Sequence, residues 1–224
     1  MSIKGFGFRP VRALAACLTL ALGVAVPATA ETPAKKSASR PRIVVLGDSL
    51  ATSAGRSSYP TVLQQRLDER GYGYEVVNAG RGGDTTAGGL RRLEKALEGE
   101  VSILVVELGG NDGLRGVPVG EIKRNLTTIV ERAQARGITV LVTQMETPPS
   151  RGWDYATAFH NLFEEVAAER KVRLIPFVLA EVVGRSEYTT DGIHPNAAGA
   201  KKIAEVIWST LAPEIEQRHA GRPK

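Results

Sequence analysis

Apolar positions along the chain follow two alternating rhythms. Short runs rich in Val, Ile and Leu occur at "RIVVLG" (42–47), "YEVVNA" (74–79), "SILVVEL" (102–108), "TVLVTQM" (139–145) and "VRLIPF" (172–177). Three of them are almost uninterrupted in apolar residues, as expected of parallel strands covered on both faces. Between them the apolar residues recur at helical spacing. In 120–136 they are Ile122, Leu126, Ile129, Val130 and Ala133, with Gly137 placed to end the helix. In 154–169 they are Tyr155, Phe159, Leu162, Phe163 and Val166. Residues 58–70, 85–98 and 197–211 complete the predicted helices. Five strand-then-helix units in succession predict an α/β fold, a three-layer α/β/α sandwich around a five-stranded parallel sheet. Ligands of such sheets bind beyond the carboxyl ends of the strands, so chemistry is sought just after each strand.

The ends of the chain read differently. "MSIKGFGFRPVR" carries Lys4, Arg9 and Arg12, the next 14 residues are uncharged, and "PATA" ends at Ala30. That order is the signature of a cleavable secretory signal over 1–30, cut after Ala30. The apolar part is shorter than the roughly 18 residues of a spanning helix, so no stable membrane span is expected after cleavage, although a retained anchor is the rival reading. Residues 31–40 read as a flexible lead-in, 41–213 as one domain and 214–224 as a frayed tail. The expected location is the periplasm or the medium, and the expected state a monomer.

Setting aside the signal alters the charge. The full chain is +5, and residues 1–30 hold three basic and no acidic residues, so +5 less 3 leaves +2. This near balance offers no footprint for nucleic acid. Cys17, the one cysteine, also lies in the signal, which excludes disulfides, a thiol nucleophile and cysteine-held metals from the domain.

Four segments follow predicted strands and bear polar residues: "GDSL" with Ser49, "AGRGGDTT" with Gly83, "ELGGND" with Asn111, and "DGIHPN" with Asp191 and His194. Each alone fits a turn or a helix cap. Together they meet the needs of acyl transfer. A serine hydroxyl needs a histidine base, and the base needs a carboxylate on its other nitrogen. Asp191 and His194 supply both from one short loop, with Gly192 allowing the bend. A developing oxyanion needs preorganised donors, and the backbone N–H groups of Ser49 and Gly83 with the Asn111 amide provide three. Asp112 is the weaker candidate for the orienting carboxylate. Glu107, inside a strand, reads as a structural acid, and His160 as a surface or boundary residue. Leu114 and Arg115 after Asn111, and Thr147 and Pro148 in "METPP", are candidate substrate-pocket walls. No Gly-x-Ser-x-Gly elbow, phosphate loop or metal-ligand cluster is present.

On these blocks, from "VVLGDSL" through "GGDTT" and "ELGGNDGLRG" to "DGIHPN", the chain resembles the GDSL or SGNH hydrolases. The wording "VELGGNDGLRG" is most similar to the secreted arylesterase, thioesterase I and lysophospholipase subgroup. The resemblance implies a flavodoxin-like fold and hydrolysis of acyl esters or thioesters. It further implies a small-molecule substrate, the Asp191–His194 pair, and no metal or other cofactor. Alternatives within the same crevice are a carbohydrate O-acetyl esterase of the cell envelope and a non-catalytic binding domain. The text "GDSLATSAGRSSYP" departs from the subgroup, with Ala51 in place of threonine and a shortened loop. An altered pocket wall beside Ser49 is the expected consequence.

Overall fold

The computed structural model describes residues 40–220. The signal reading for 1–30, nearly all of the lead-in and residues 221–224 lie outside them. The elements follow in the order β1 (Arg42–Gly47), α1 (Ser49–Thr52), α2 (Tyr59–Glu69), β2 (Glu75–Asn78), α3 (Thr86–Arg91), α4 (Leu93–Ala96) and β3 (Val101–Glu107). Then come α5 (Gly110–Arg115), α6 (Val119–Gln134), β4 (Thr139–Thr143), α7 (Trp153–Arg170), β5 (Arg173–Ile175) and α8 (Ala197–Ala220). All four strand pairings are parallel and the strand order is β2-β1-β3-β4-β5. This is the flavodoxin-like order, whose switch point lies between β1 and β3.

Alternation along the strands divides the core in two. Ile43 and Val45 of β1, with Ile103 and Val105 of β3, pack under α2 and α8. Val44, Leu46, Leu104 and Val106 point the other way, against Leu93 of α4 and the apolar faces of α6 and α7. All eight of these strand residues are fully buried. Double coverage is why the strands read as apolar runs rather than as an alternating pattern.

Two departures from the predicted elements exceed a residue or two at an end. The helix expected over 85–98 is broken at Arg92, which both ends α3 and begins α4 at φ −105° and ψ 7°. Gly88 and Gly89 weaken the helix locally. Gly89 also lets α3 lie close to the sheet, since a Cβ there would strike Leu108. The domain does not stop at residue 213. Helix α8 runs through Pro213 to Ala220 because its buried stripe of Ile203, Ile207 and Leu211 continues to Ile215. An ion pair from Arg173 to Glu214 and ring contacts from His219 to Tyr72 and Tyr74 hold this last stretch in place.

Candidate active site

The chain leaves β1 through Gly47 and turns at once into α1. Asp48 caps that short helix, its Oδ1 accepting the Leu50 N–H at 2.9 Å, a common use of a short carboxylate. Ser49 is the first helical residue and stands at the sheet edge. A glycine is required at 47, because a Cβ there would run into Glu107 Oε2 and the Ala51 methyl group.

His194 comes from the loop between β5 and α8. Its Nε2 lies 3.0 Å from Ser49 Oγ, and its Nδ1 lies 2.5 Å from Asp191 Oδ2. The other oxygen of Asp191 accepts the N–H groups of Ile193 at 3.0 Å and His194 at 2.8 Å. A bridge between Thr189 and Pro195 closes the loop, and Gly192 takes φ +92° at its tip. The backbone N–H of His194, then its side chain and the Ile193 N–H, lower the Asp191 carboxyl to about 2. Asp191 is therefore ionised throughout the working range of a histidine.

Gly83 occupies the turn Arg81–Asp84, closed by the Asp84 N–H on the Arg81 carbonyl, and has φ +70°. That position of the turn favours glycine. Arg115 Nη2 donates to the Gly83 carbonyl at 2.9 Å. Neither the Ser49 nor the Gly83 N–H is spent on another group of the described chain. Asn111, on α5, donates from Nδ2 to Asp48 Oδ2 at 2.9 Å. One hydrogen of its amide is thereby fixed and the other left for a ligand.

Asp112 is not the partner of His194. Its two oxygens accept the Thr86 hydroxyl at 2.6 Å and the Thr86 N–H at 2.9 Å, tying α5 to the start of α3. His160 is half-exposed and pairs through Nδ1 with Glu146 at 2.6 Å.

The cleft beside Ser49 has a volume of about 350 Å³. Leu114, Thr147 and Pro148 line it, and Arg115 does not, its guanidinium being turned to the Gly83 loop. Sequence reasoning missed Leu50, Phe177, Leu179, Val183 and Ile193, which supply much of the apolar wall. Ala51 is not part of the wall either. It is fully buried beneath the site, where its methyl group leaves no room for a Cβ on Gly80. The departure from threonine at this position therefore bears on packing under the loops.

A buried carboxyl pair lies below Ser49. Glu107 is fully buried at the end of β3, and its Oε2 accepts the Tyr59 hydroxyl at 3.2 Å and the Asp48 N–H at 3.3 Å. Burial, then the nearby Asp48 charge, raises the Glu107 carboxyl well above its ordinary value. Burial also raises Asp48, to about 6, against the lowering effect of the Leu50 N–H and the Asn111 amide. Glu107, the more deeply buried of the two, keeps its proton at neutral pH. Glu107 Oε1 has no hydrogen-bond partner among the described residues.

A group whose folded-state value is raised supports the fold fully below its unfolded value, near 4.5 for glutamate. That support is lost as the pH rises through the folded value. Glu107→Gln, which keeps the shape and the donor, is expected to preserve activity within a few-fold. Its melting temperature should gain on wild type as the pH rises from 5 to 8. Glu107→Ala should lose about 2–4 kcal/mol, by leaving a cavity and unpaired polar groups. Thermal unfolding at the two pH values checks both. A Gln variant losing ground at pH 8 would contradict a protonated Glu107.

Among the described residues no group of three or more His, Asp or Glu side chains is placed to hold a metal ion, and no helix is long and apolar enough to cross a membrane.

A parallel three-layer fold of this strand order, with a serine, a histidine and an aspartate hydrogen-bonded in series at its carboxyl edge, defines a serine hydrolase of flavodoxin-like architecture. Residues 45–202 match the GDSL-like lipase/acylhydrolase family. The chain belongs to that family, and it is a serine esterase. It is 41% identical over 176 residues to esterase TesA of Pseudomonas aeruginosa, covering 76% of this chain and 88% of the relative. To an arylesterase of Vibrio mimicus it is 36% identical, over 78% of this chain and 90% of that one. Among solved structures, the psychrotrophic esterase EstA of a Pseudoalteromonas species, inhibited by monoethylphosphonate, is similar with a TM-score of 0.74 and 29% identity. That match covers 78% of this chain and 98% of the esterase. A structure of TesA gives a TM-score of 0.73 at 41% identity, over 77% of this chain and 98% of TesA.

Proposed function

We propose that Ser49 is the nucleophile, His194 the general base and Asp191 its orienting carboxylate, in hydrolysis of esters or thioesters of medium-length acyl chains. Ser49 Oγ attacks the acyl carbonyl carbon while His194 Nε2 takes its proton. The tetrahedral oxyanion accepts the N–H groups of Ser49 and Gly83 and one hydrogen of the Asn111 amide. Collapse expels the alcohol or thiol, which receives the proton from His194, and leaves an acyl-Ser49 ester. Water, deprotonated by His194, attacks this ester and releases the carboxylic acid and free Ser49.

The observation that carries the reading is the hydrogen-bonded series from Ser49 Oγ through His194 to Asp191. The acyl preference rests on the cleft, whose walls include Leu50, Met145, Phe177 and Leu179 beside Ser49. The names of the Vibrio mimicus arylesterase and of a 32% identical relative, thioesterase 1/protease 1/lysophospholipase L1 of Escherichia coli, agree with ester and thioester substrates. In the cell, residues 1–30 direct export and are removed after Ala30, so the enzyme acts outside the cytoplasm.

The test is a series of p-nitrophenyl esters and matching thioesters of rising chain length, assayed beside acetylated sugars. Each methylene that enters the cleft should add about 0.8 kcal/mol of binding, roughly fourfold in kcat/KM, until the cleft is filled. A flat series, or a preference for acetylated sugars, would refute the acyl-chain assignment.

A further inference from the structure

The break between α3 and α4 has a counterpart at the active-site edge. Arg92, the residue at the break, sends its guanidinium back under the ends of two strands. Nε donates to Asp84 Oδ2 at 2.6 Å, Nη2 to the Gly47 carbonyl at 2.9 Å, and Nη1 to the Ala79 carbonyl. The Arg92 side chain is 20% exposed and that of Asp84 only 9%. The three anchors are the last residue of β1, the residue after β2, and the residue closing the turn that carries Gly83. Gly47 precedes Asp48 and Ser49, and its carbonyl also accepts the Arg81 N–H at 3.1 Å. One planar cation thus joins the segment that presents the Ser49 N–H to the segment that presents the Gly83 N–H. A guanidinium offers five donors in a fixed fork, whereas an ammonium is a single point.

We propose that Arg92 is a positioning residue of the oxyanion site, fixing the separation and aim of the Ser49 and Gly83 N–H groups. The inference rests on the proposed roles of those two residues and goes beyond them. Arg92 touches no substrate, and the cleft walls do not include it. Its loss therefore alters the transition state more than the ground state, since oxyanion donors act where charge develops. A continuous helix over 85–98 would carry residue 92 along the helix instead of ending a turn at the strand ends, which gives the break a purpose.

Arg92→Lys and Arg92→Ala are assayed on p-nitrophenyl butyrate, with melting temperatures recorded and Arg92→Gln held in reserve should alanine not fold. The expected result is a fall in kcat of about 10- to 100-fold with KM changed less than about twofold, the pattern of a lost transition-state interaction. The rate at which a fluorophosphonate labels Ser49 should fall in step, because the phosphonyl oxygen would use the same donors. Guanidinium ion at about 10 mM, far below denaturing levels, should restore part of the alanine variant's kcat, by refilling the fork's place. The proposal is overturned if folded Arg92→Lys keeps wild-type kcat. It is equally overturned if the loss tracks only the unfolded fraction, or appears in KM alone. Ser49→Ala run in parallel separates the two levels. If that variant still turns over, the nucleophile assignment has failed; if it is dead while Arg92→Lys is fully active, only this inference has.

Discussion

Ser49→Ala is expected to lower kcat on p-nitrophenyl butyrate by on the order of 10⁶-fold, the scale at which a serine hydrolase loses its nucleophile. The remaining rate would come from the oxyanion donors and the cleft, which the substitution leaves in place. The fold should hardly notice. The Ser49 hydroxyl bonds only to His194, whereas helix α1 is capped by Asp48 and the following turn uses the Ser49 carbonyl. A change in stability within about 0.5 kcal/mol is expected for a side chain so placed. Stopped hydrolysis with an unchanged melting temperature is the combination to look for.

Asp191→Asn comes next in size. The asparagine oxygen can still accept the Ile193 and His194 N–H groups, so the loop from Thr189 to Pro195 keeps its shape. The other position becomes an NH₂ group, which cannot accept from Nδ1. The imidazole then places its proton on Nε2, toward Ser49, and ceases to be a base. In buried triads this costs about 10⁴-fold in kcat. Asp191 here is half exposed, and water can take over part of its role, so a loss on the order of 10³-fold is expected. KM should stay close to wild type. The wild-type carboxyl, lowered to about 2 by the two N–H groups and the His194 ring, supports the loop above its unfolded value. That support is lost as the pH falls from the ordinary carboxyl range through 2. Steady-state kinetics between pH 6 and 9 measures the first effect, and acid unfolding of the two proteins the second.

The sheet was legible because parallel strands buried on both faces concentrate apolar residues, as in β1 and β3. The helices α6 and α7 were legible through the spacing of Ile122 to Ala133 and of Phe159 to Val166. Candidate site residues could be found for a related reason: Ser49 and Asn111 come shortly after β1 and β3, and His194 lies in the loop that leads from β5 to α8. What stayed hidden depends on contacts distant in sequence. Arg92 looks like any helix arginine until the strand-end carbonyls of Gly47 and Ala79 meet it. Glu107 reads as a structural acid, and what the sequence does not show is its complete burial and its partners Tyr59 and Asp48, 48 and 59 residues away. The end of α8 reads as frayed because "EQRHAGRPK" is polar and rich in small residues and proline, yet Ile215 just before it continues the buried stripe of Leu211. The alanine at 51, where the subgroup has threonine, reads as a change in the pocket wall, yet the helical turn carries its side chain inward. Cleft walls are the least legible part, since Phe177, Leu179 and Val183 come from a segment with no motif.

The central claim is that Ser49 is made nucleophilic by His194. The direct measurement is covalent labelling of the purified protein with a fluorophosphonate, followed by peptide mapping of the modified residue. The account predicts one phosphonyl group per chain on Ser49, no labelling of Ser49→Ala, and strongly slowed labelling of His194→Ala. Labelling at another residue, or equal labelling of wild type and Ser49→Ala, would contradict it.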